Sequence, residues 1–222
     1  MVSVSTVSSL ATGAGTLVLA VATFASVRSA NRAARVAQQA LLVNVRPLLM
    51  PSRLDDPRQK IFFQEGKHVM VEGGHGVAEL EHGVVYLAIS LRGAGPGIAV
   101  LHGWRFQVGR VLDPQRPDPD TFRHQARDIF IAPGDIGFWQ GAFRDRADPQ
   151  YDEAAAAVDD NTAEADQVLT IDLLYGDQEG GQRVMSRMML QRVGRGQQPP
   201  DRAAPWIASV VRHWNVDRPD PR

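Results

Sequence analysis

The chain has 222 residues, 44% hydrophobic and 22% charged, with a formal net charge of −1. That composition fits a folded domain with an added segment and argues against a nucleic-acid binder driven by phosphate contacts. Cysteine is absent, which excludes a disulfide framework, a thiolate metal site, a cysteine nucleophile and a lipidated cysteine.

From Met1 to Val27 no side chain is charged, and residues 10–27 are mostly apolar. A spanning helix needs about 20 such residues. Residues 1–27 are therefore read as a transmembrane helix, diluted by Thr12, Gly13, Gly15, Thr16, Thr23 and Ser26. A cleaved signal peptide would open on lysine or arginine, and a buried core helix would need a similar partner helix downstream. Arg28, Arg32, Arg35 and Arg46 follow with no acid among them. Cations on that flank place the N-terminus outside and the bulk of the chain on the cytoplasmic side of the cell (plasma) membrane, as a single-pass protein. The lipid bilayer is the first expected partner.

Residues 28–46 are expected to continue the helix as a basic stalk, because they contain neither Gly nor Pro and are rich in alanine. At about 100° per residue, Arg28, Arg32, Arg35 and Gln39 form one stripe. Ala30, Ala34, Ala37 and Leu41 fall opposite. The stalk is either a solvated helix beside anionic headgroups or a helix that pairs through its alanine face with itself or another membrane protein. Pro47 ends it.

Over 47–193 the periodicity becomes two. Strands are predicted at 60–64, 68–72, 83–92, 97–110, 127–132, 135–143, 167–175 and 182–193, separated by Gly, Pro and Asp turns. Val85, Leu87, Ile89 and Leu91 share one face. So do Ile98, Val100, His102, Trp104, Phe106 and Val108, which puts His102 inward. The prediction is an all-β domain, an antiparallel immunoglobulin-like β-sandwich cored by Trp104 and Trp139, with a closed barrel as the alternative. Two insertions interrupt it. Residues 113–125 carry three prolines and are expected to form a rigid exposed loop. Residues 144–166 are acidic and are expected to be a solvated or disordered loop with a turn or two of helix at 154–158, or else a partner-binding arm.

Residues 194–222 read as a linker followed by a short amphipathic C-terminal helix, because Trp206, Ile207, Val210, Val211 and Trp214 recur at helical spacing. That stripe would pack back on the domain or sit at the lipid interface.

The order of parts, with an Arg46-Pro47-Leu48-Leu49 junction, resembles a widespread group of bacterial single-pass membrane proteins of uncharacterised activity. Leu91-Arg92-Gly93-Ala94-Gly95-Pro96-Gly97 is similar to that group's Asn-x-Gly-Pro strand junction, with Gly93 where asparagine is usual. Pro133-Gly134-Asp135 and Tyr175-Gly176-Asp177 sit where the group carries a Pro-Gly turn and a Tyr-x-Asp strand end. The resemblance implies a spanning helix, a basic stalk and a β-sandwich, and brings no activity.

No catalytic, cofactor or metal motif stands out. The glycines at 93–97 precede a strand rather than a helix and lack a Gly-Lys-Ser/Thr ending. His68, His75 and His82 are seven apart, which fits ligands on neither a strand nor a helix. Ser90, Ser186 and Ser209 lack a nucleophile-elbow context. The sequence therefore points to a binding or adaptor protein with no cofactor, no evident small-molecule substrate and no nucleic-acid partner. An extracytoplasmic binding domain, or an enzyme with an unrecognised site, are the alternatives.

Overall fold

A computed structural model describes residues 4–159, 166–193 and 206–219. The chain divides into two compact units, one ending at Asn44 and one beginning at Val45.

The first unit is one helix, α1 (Val4–Asn44). No proline interrupts it, and alanine supplies much of its helical propensity. Leu17, Leu19, Val21, Phe24, Val27, Val36 and Leu41 are all exposed on it. Among the described residues no helix is long and apolar enough to cross a membrane, so a spanning role for residues 1–27 rests on their sequence.

The second unit is mostly antiparallel β-sheet. Its strands are β1 (Leu49–Pro51), β2 (Gln59–Phe62), β3 (His68–Val71), β4 (His75–Glu81), β5 (Val84–Gly93) and β6 (Ala99–Val108), then β7 (Arg123–His124), β8 (Phe130–Ile131) and β9 (Ile136–Phe143). After helix α2 (Tyr151–Val158) come β10 (Val168–Gly176), β11 (Arg183–Arg192) and β12 (Trp206–Asn215). Ten strands form one sheet, in the order β1-β5-β4-β12-β11-β10-β6-β7, with β8 on β6 and β9 on β5. A short pairing of Trp206 with Gly76 and Ile207 with His75 joins its two halves. The halves share one core: Val85, Leu87, Ile89 and Leu91 of β5 meet Leu169, Ile171 and Leu173 of β10 and Val184, Met188 and Leu190 of β11. This is consistent with a sandwich, in which the two faces of a folded-over sheet exclude water between them.

The hairpin β2–β3 forms a second layer. Ile61, Phe63, Val69 and Val71 pack against Tyr86 and Ala88, on the opposite side of β5 from the main core. Strand β5 is thus covered on both sides, which explains why its sequence is a nearly continuous apolar run.

Three expectations are corrected. The C-terminal segment is a strand, not a helix: β12 pairs along its length with β11. A bulge between Met188 and Arg187 skips Val211 and inverts the alternation, so Trp206 points into the core while Trp214 packs on the other side with Leu174 and Met185. Apolar residues four apart satisfy that inverted strand as well as they satisfy a helix. His102 is exposed rather than inward, because the register of β6 on β10 shifts between Leu174 and Tyr175 and passes over it. Its pKa is lowered, mainly by partial burial and then by the Arg183 charge.

The third correction concerns the acidic insertion; residues 113–125 are mostly exposed, as expected of the proline-rich loop, and the chain leading into them is tied down. Residues 111–116 bind the domain: Trp214 Nε1 donates to Pro114 O at 3.1 Å, and Arg116 Nη1 donates to Asn215 O and Val216 O at 2.8 and 2.9 Å. Within the acidic insertion, α2 takes in the helical turns expected at 154–158, but it is not a solvated loop: it puts Tyr151, Ala154, Ala157 and Val158 into the main core. Residues 160–165 lie outside the described set. Helix α2 follows a turn held by Asp148, whose carboxylate takes two bonds from the Arg123 guanidinium at 2.5 and 2.7 Å.

That pair gives a pH signature. The Arg123 hydrogen bonds, outweighing burial, hold the Asp148 carboxyl below its usual value of 3.8. Its contribution to stability is therefore complete above that value and is lost as pH falls through the lower folded-state value. Asp148→Asn is expected to flatten the acid limb of the plot of denaturation midpoint against pH. An unchanged slope below pH 3.8 would mean that the pair is not maintained in solution.

Candidate functional site at the domain entry

The segments that carried the sequence resemblance lie far apart in the chain and meet at one end of the β-domain. Arg46-Pro47-Leu48-Leu49 runs in as an extended segment with Pro47 and Leu49 buried. The loop after β5 binds its backbone: Ala94 N and Gly95 N donate to Leu48 O at 2.7 and 3.2 Å, and Gly97 N donates to Arg46 O at 3.2 Å. A side chain at Gly97 would place its Cβ 1.8 Å from Val45 O, so only glycine lets the two backbones approach this closely. The Pro133-Gly134-Asp135 turn closes on the same loop. Gly134 N donates to Gly93 O at 2.8 Å, and Gly93 N donates to Asp135 O at 3.0 Å.

Tyr175 supplies the fourth element. Its ring is fully buried, and its hydroxyl accepts from Leu49 N at 3.0 Å. The same oxygen lies 2.7 Å from Ser186 Oγ, which lies 2.6 Å from His213 Nδ1. Burial pushes the Tyr175 pKa up to about 12, so the phenol is neutral across the physiological range. Ser186 and His213 have the residue types of a nucleophile and its base. Ser186, however, is fully buried, its oxygen held between Tyr175 and His213. The arrangement secures the entering strand rather than presenting a nucleophile.

Tyr175→Phe is expected to destabilise the full chain by about 1–3 kcal/mol, because it leaves the buried Leu49 N–H without its acceptor. A denaturant titration measures it. A loss under about 0.5 kcal/mol would show that water or a shifted backbone satisfies that group equally well.

The sequence-predicted site residues fall into three places. Arg28, Arg32 and Arg35 lie exposed on α1, where they line one groove with Phe24, Val27 and Asn31. Arg46 lies beyond the helix and within the β-domain, donating to Asn215 Oδ1. It belongs to the entry site rather than to a continuous basic stalk. Trp206, Ile207, Val210, Val211 and Trp214 lie on β12. Both tryptophans are buried there: Trp206 Nε1 donates to Ala78 O, and Trp214 stacks under Arg187. Neither indole is placed to meet a lipid interface.

Sequence reasoning missed a buried ionic cluster. Asp172, 1% exposed, accepts from Arg187 Nε at 2.7 Å and Nη2 at 3.1 Å, and from Arg105 Nε and Nη2 at 3.2 and 2.8 Å. Only the opposite-charge residues in mid-strand, at Arg105, Asp172 and Arg187, signalled it. Among the described residues, no group of three or more histidines and carboxylates could hold a metal ion.

No family model, curated protein or solved structure matches the chain.

Proposed function

We propose that this chain is a membrane-tethered β-domain that acts by binding, as an adaptor or assembly component on the cytoplasmic face. The observation that carries the tether is the N-terminal helix. Residues 1–27 of the chain hold no charge, and Leu17, Leu19, Val21, Phe24 and Val27 are exposed on the helix. A helix with apolar side chains in solvent gains by passing into hydrocarbon or a partner's interior. The arginines that follow supply the flank that fixes orientation. The finer fold reading, an immunoglobulin-like sandwich, is supported by the two antiparallel half-sheets around one core. Likeness to the bacterial single-pass group is supported by the four quoted motifs that meet at the domain entry.

The test is fractionation. After alkaline carbonate washing of membranes, the full-length chain is expected in the pellet. Its release into the supernatant would overturn the tether and, with it, the sidedness and the adaptor role.

A further inference from the structure

We propose that Arg28, Arg32 and Arg35 form a clamp for the phosphodiesters of anionic lipid headgroups, with Phe24 and Val27 resting at the adjoining acyl boundary; the inference rests on the tether reading above. The three arginines recur at i, i+4 and i+7, so they share one side of α1 and span about 10 Å of its axis. They line one groove with Phe24, Val27 and Asn31. Phe24 and Val27 are exposed, at 69% and 53%, on the side of the arginines nearest the uncharged segment. A single surface thus passes from apolar to cationic within three turns, the order a chain meets on leaving hydrocarbon for the headgroup layer.

Charge complementarity selects the occupant. Helix α1 contains no acidic residue, and the first acid in the chain is Asp55. No carboxylate on this helix competes for the three guanidiniums. A guanidinium is planar and forked and meets two phosphate oxygens at once, which an ammonium cannot do. The Asn31 amide adds a further donor beside them. The apolar side chains on the same surface favour lipid over a free anion, because a free phosphate leaves Phe24 and Val27 in water.

The test captures the full chain, in mild detergent, from vesicles of equal phosphatidylcholine and phosphatidylglycerol and quantifies the retained lipids by mass. The wild-type chain is expected to retain phosphatidylglycerol over phosphatidylcholine by about 100-fold, since each of the three arginines near the headgroups is worth roughly a factor of five. The triple variant R28Q/R32Q/R35Q is expected to fall to near parity. R53Q/R58Q/R110Q, at three exposed arginines of the β-domain, is expected to keep the preference. Equal retention by the wild type, or equal loss in both triple variants, would overturn the clamp. So would selective stripping of the lipid by inorganic phosphate compared with chloride at equal ionic strength, which would mark a free-anion site. A chain that resists carbonate yet shows no lipid preference refutes the clamp alone, whereas release by carbonate refutes the tether on which it rests.

Discussion

Asp172→Ala is expected to destabilise the full chain by about 3–5 kcal/mol, because it leaves a buried cation without its counter-charge. Arg187 is 2% exposed and makes two of its bonds to this carboxylate. Its remaining partners, Asp113 O at 3.0 Å, Val111 O at 3.5 Å and the face of Trp214 at 5.0 Å, carry no full negative charge. Arg105 is better placed to recover, since about a quarter of its side chain already meets solvent. The burden therefore falls on Arg187. The same guanidinium ties residues 111–113 to the sheet, so the variant should also become sensitive to proteolysis near Leu112. Urea titration gives the energy and limited proteolysis gives the location. A paired variant, Asp172→Leu with Arg187→Met, is expected to recover much of the loss, since well-packed apolar groups often replace a buried ion pair at little cost. If Asp172→Ala costs less than about 1 kcal/mol, the cluster is hydrated in solution and the folded-over loop does not seal it.

The parts of the fold that were legible in the sequence are those whose apolar residues recur at a period of two. The inward series Leu169, Ile171, Leu173 on β10 and Val184, Met188, Leu190 on β11 keep that period, broken by Ser186, and their strands lie within a residue or two of the predicted bounds. Strand β4 was hidden, because Gly73-Gly74-His75-Gly76 reads as a turn and Glu79 and Glu81 dilute the apolar signal. Its two carboxylates are instead held by Lys67 from the overlying hairpin, a tertiary contact that no local pattern reports. Bulges defeated the reading twice, at His102 and at Val211, since one extra residue exchanges the two faces of a strand. The entry site was half legible. Its glycine and proline motifs stand out as turns, but the meeting of residues 46–49, 93–97, 133–135 and Tyr175 is a matter of topology. Helix α2 was legible in part, as helical turns at 154–158, but its burial was not: alanine supplies little apolar signal, and flanking acids suggest a solvated loop.

Trp139→Ala is expected to cost about 3–5 kcal/mol, as large-to-small changes at fully enclosed aromatic sites do. Trp139 is entirely buried and packs edge-to-face on Trp104, ring centres 5.4 Å apart. Trp104 in turn meets Phe143 at 5.3 Å, and Phe143 meets Phe106 at 5.3 Å. Arg123 caps the far side, 4.7 Å above Phe143. The backbone is shaped to admit these rings: a side chain at Gly141 would meet Trp139 Cζ2 at 2.7 Å and Trp104 Cε2 at 3.1 Å. A cavity at position 139 cannot be filled by collapse, because its walls are aromatic rings already fixed by one another and by the β5–β9 ladder. The indole nitrogen separates packing from polarity. Trp139 Nε1 is buried and finds no hydrogen-bond partner among the described residues, so it brings a desolvation cost that its ring must outweigh. Trp139→Phe removes that nitrogen and keeps an aromatic ring, and is expected to cost only on the order of 1–2 kcal/mol. Denaturant midpoints give the ranking, and near-ultraviolet circular dichroism reports whether the remaining rings stay fixed. Equal costs for the two variants would mean that the indole nitrogen has a partner in solution, a buried water for instance, and that the site is held by polarity as well as by fit.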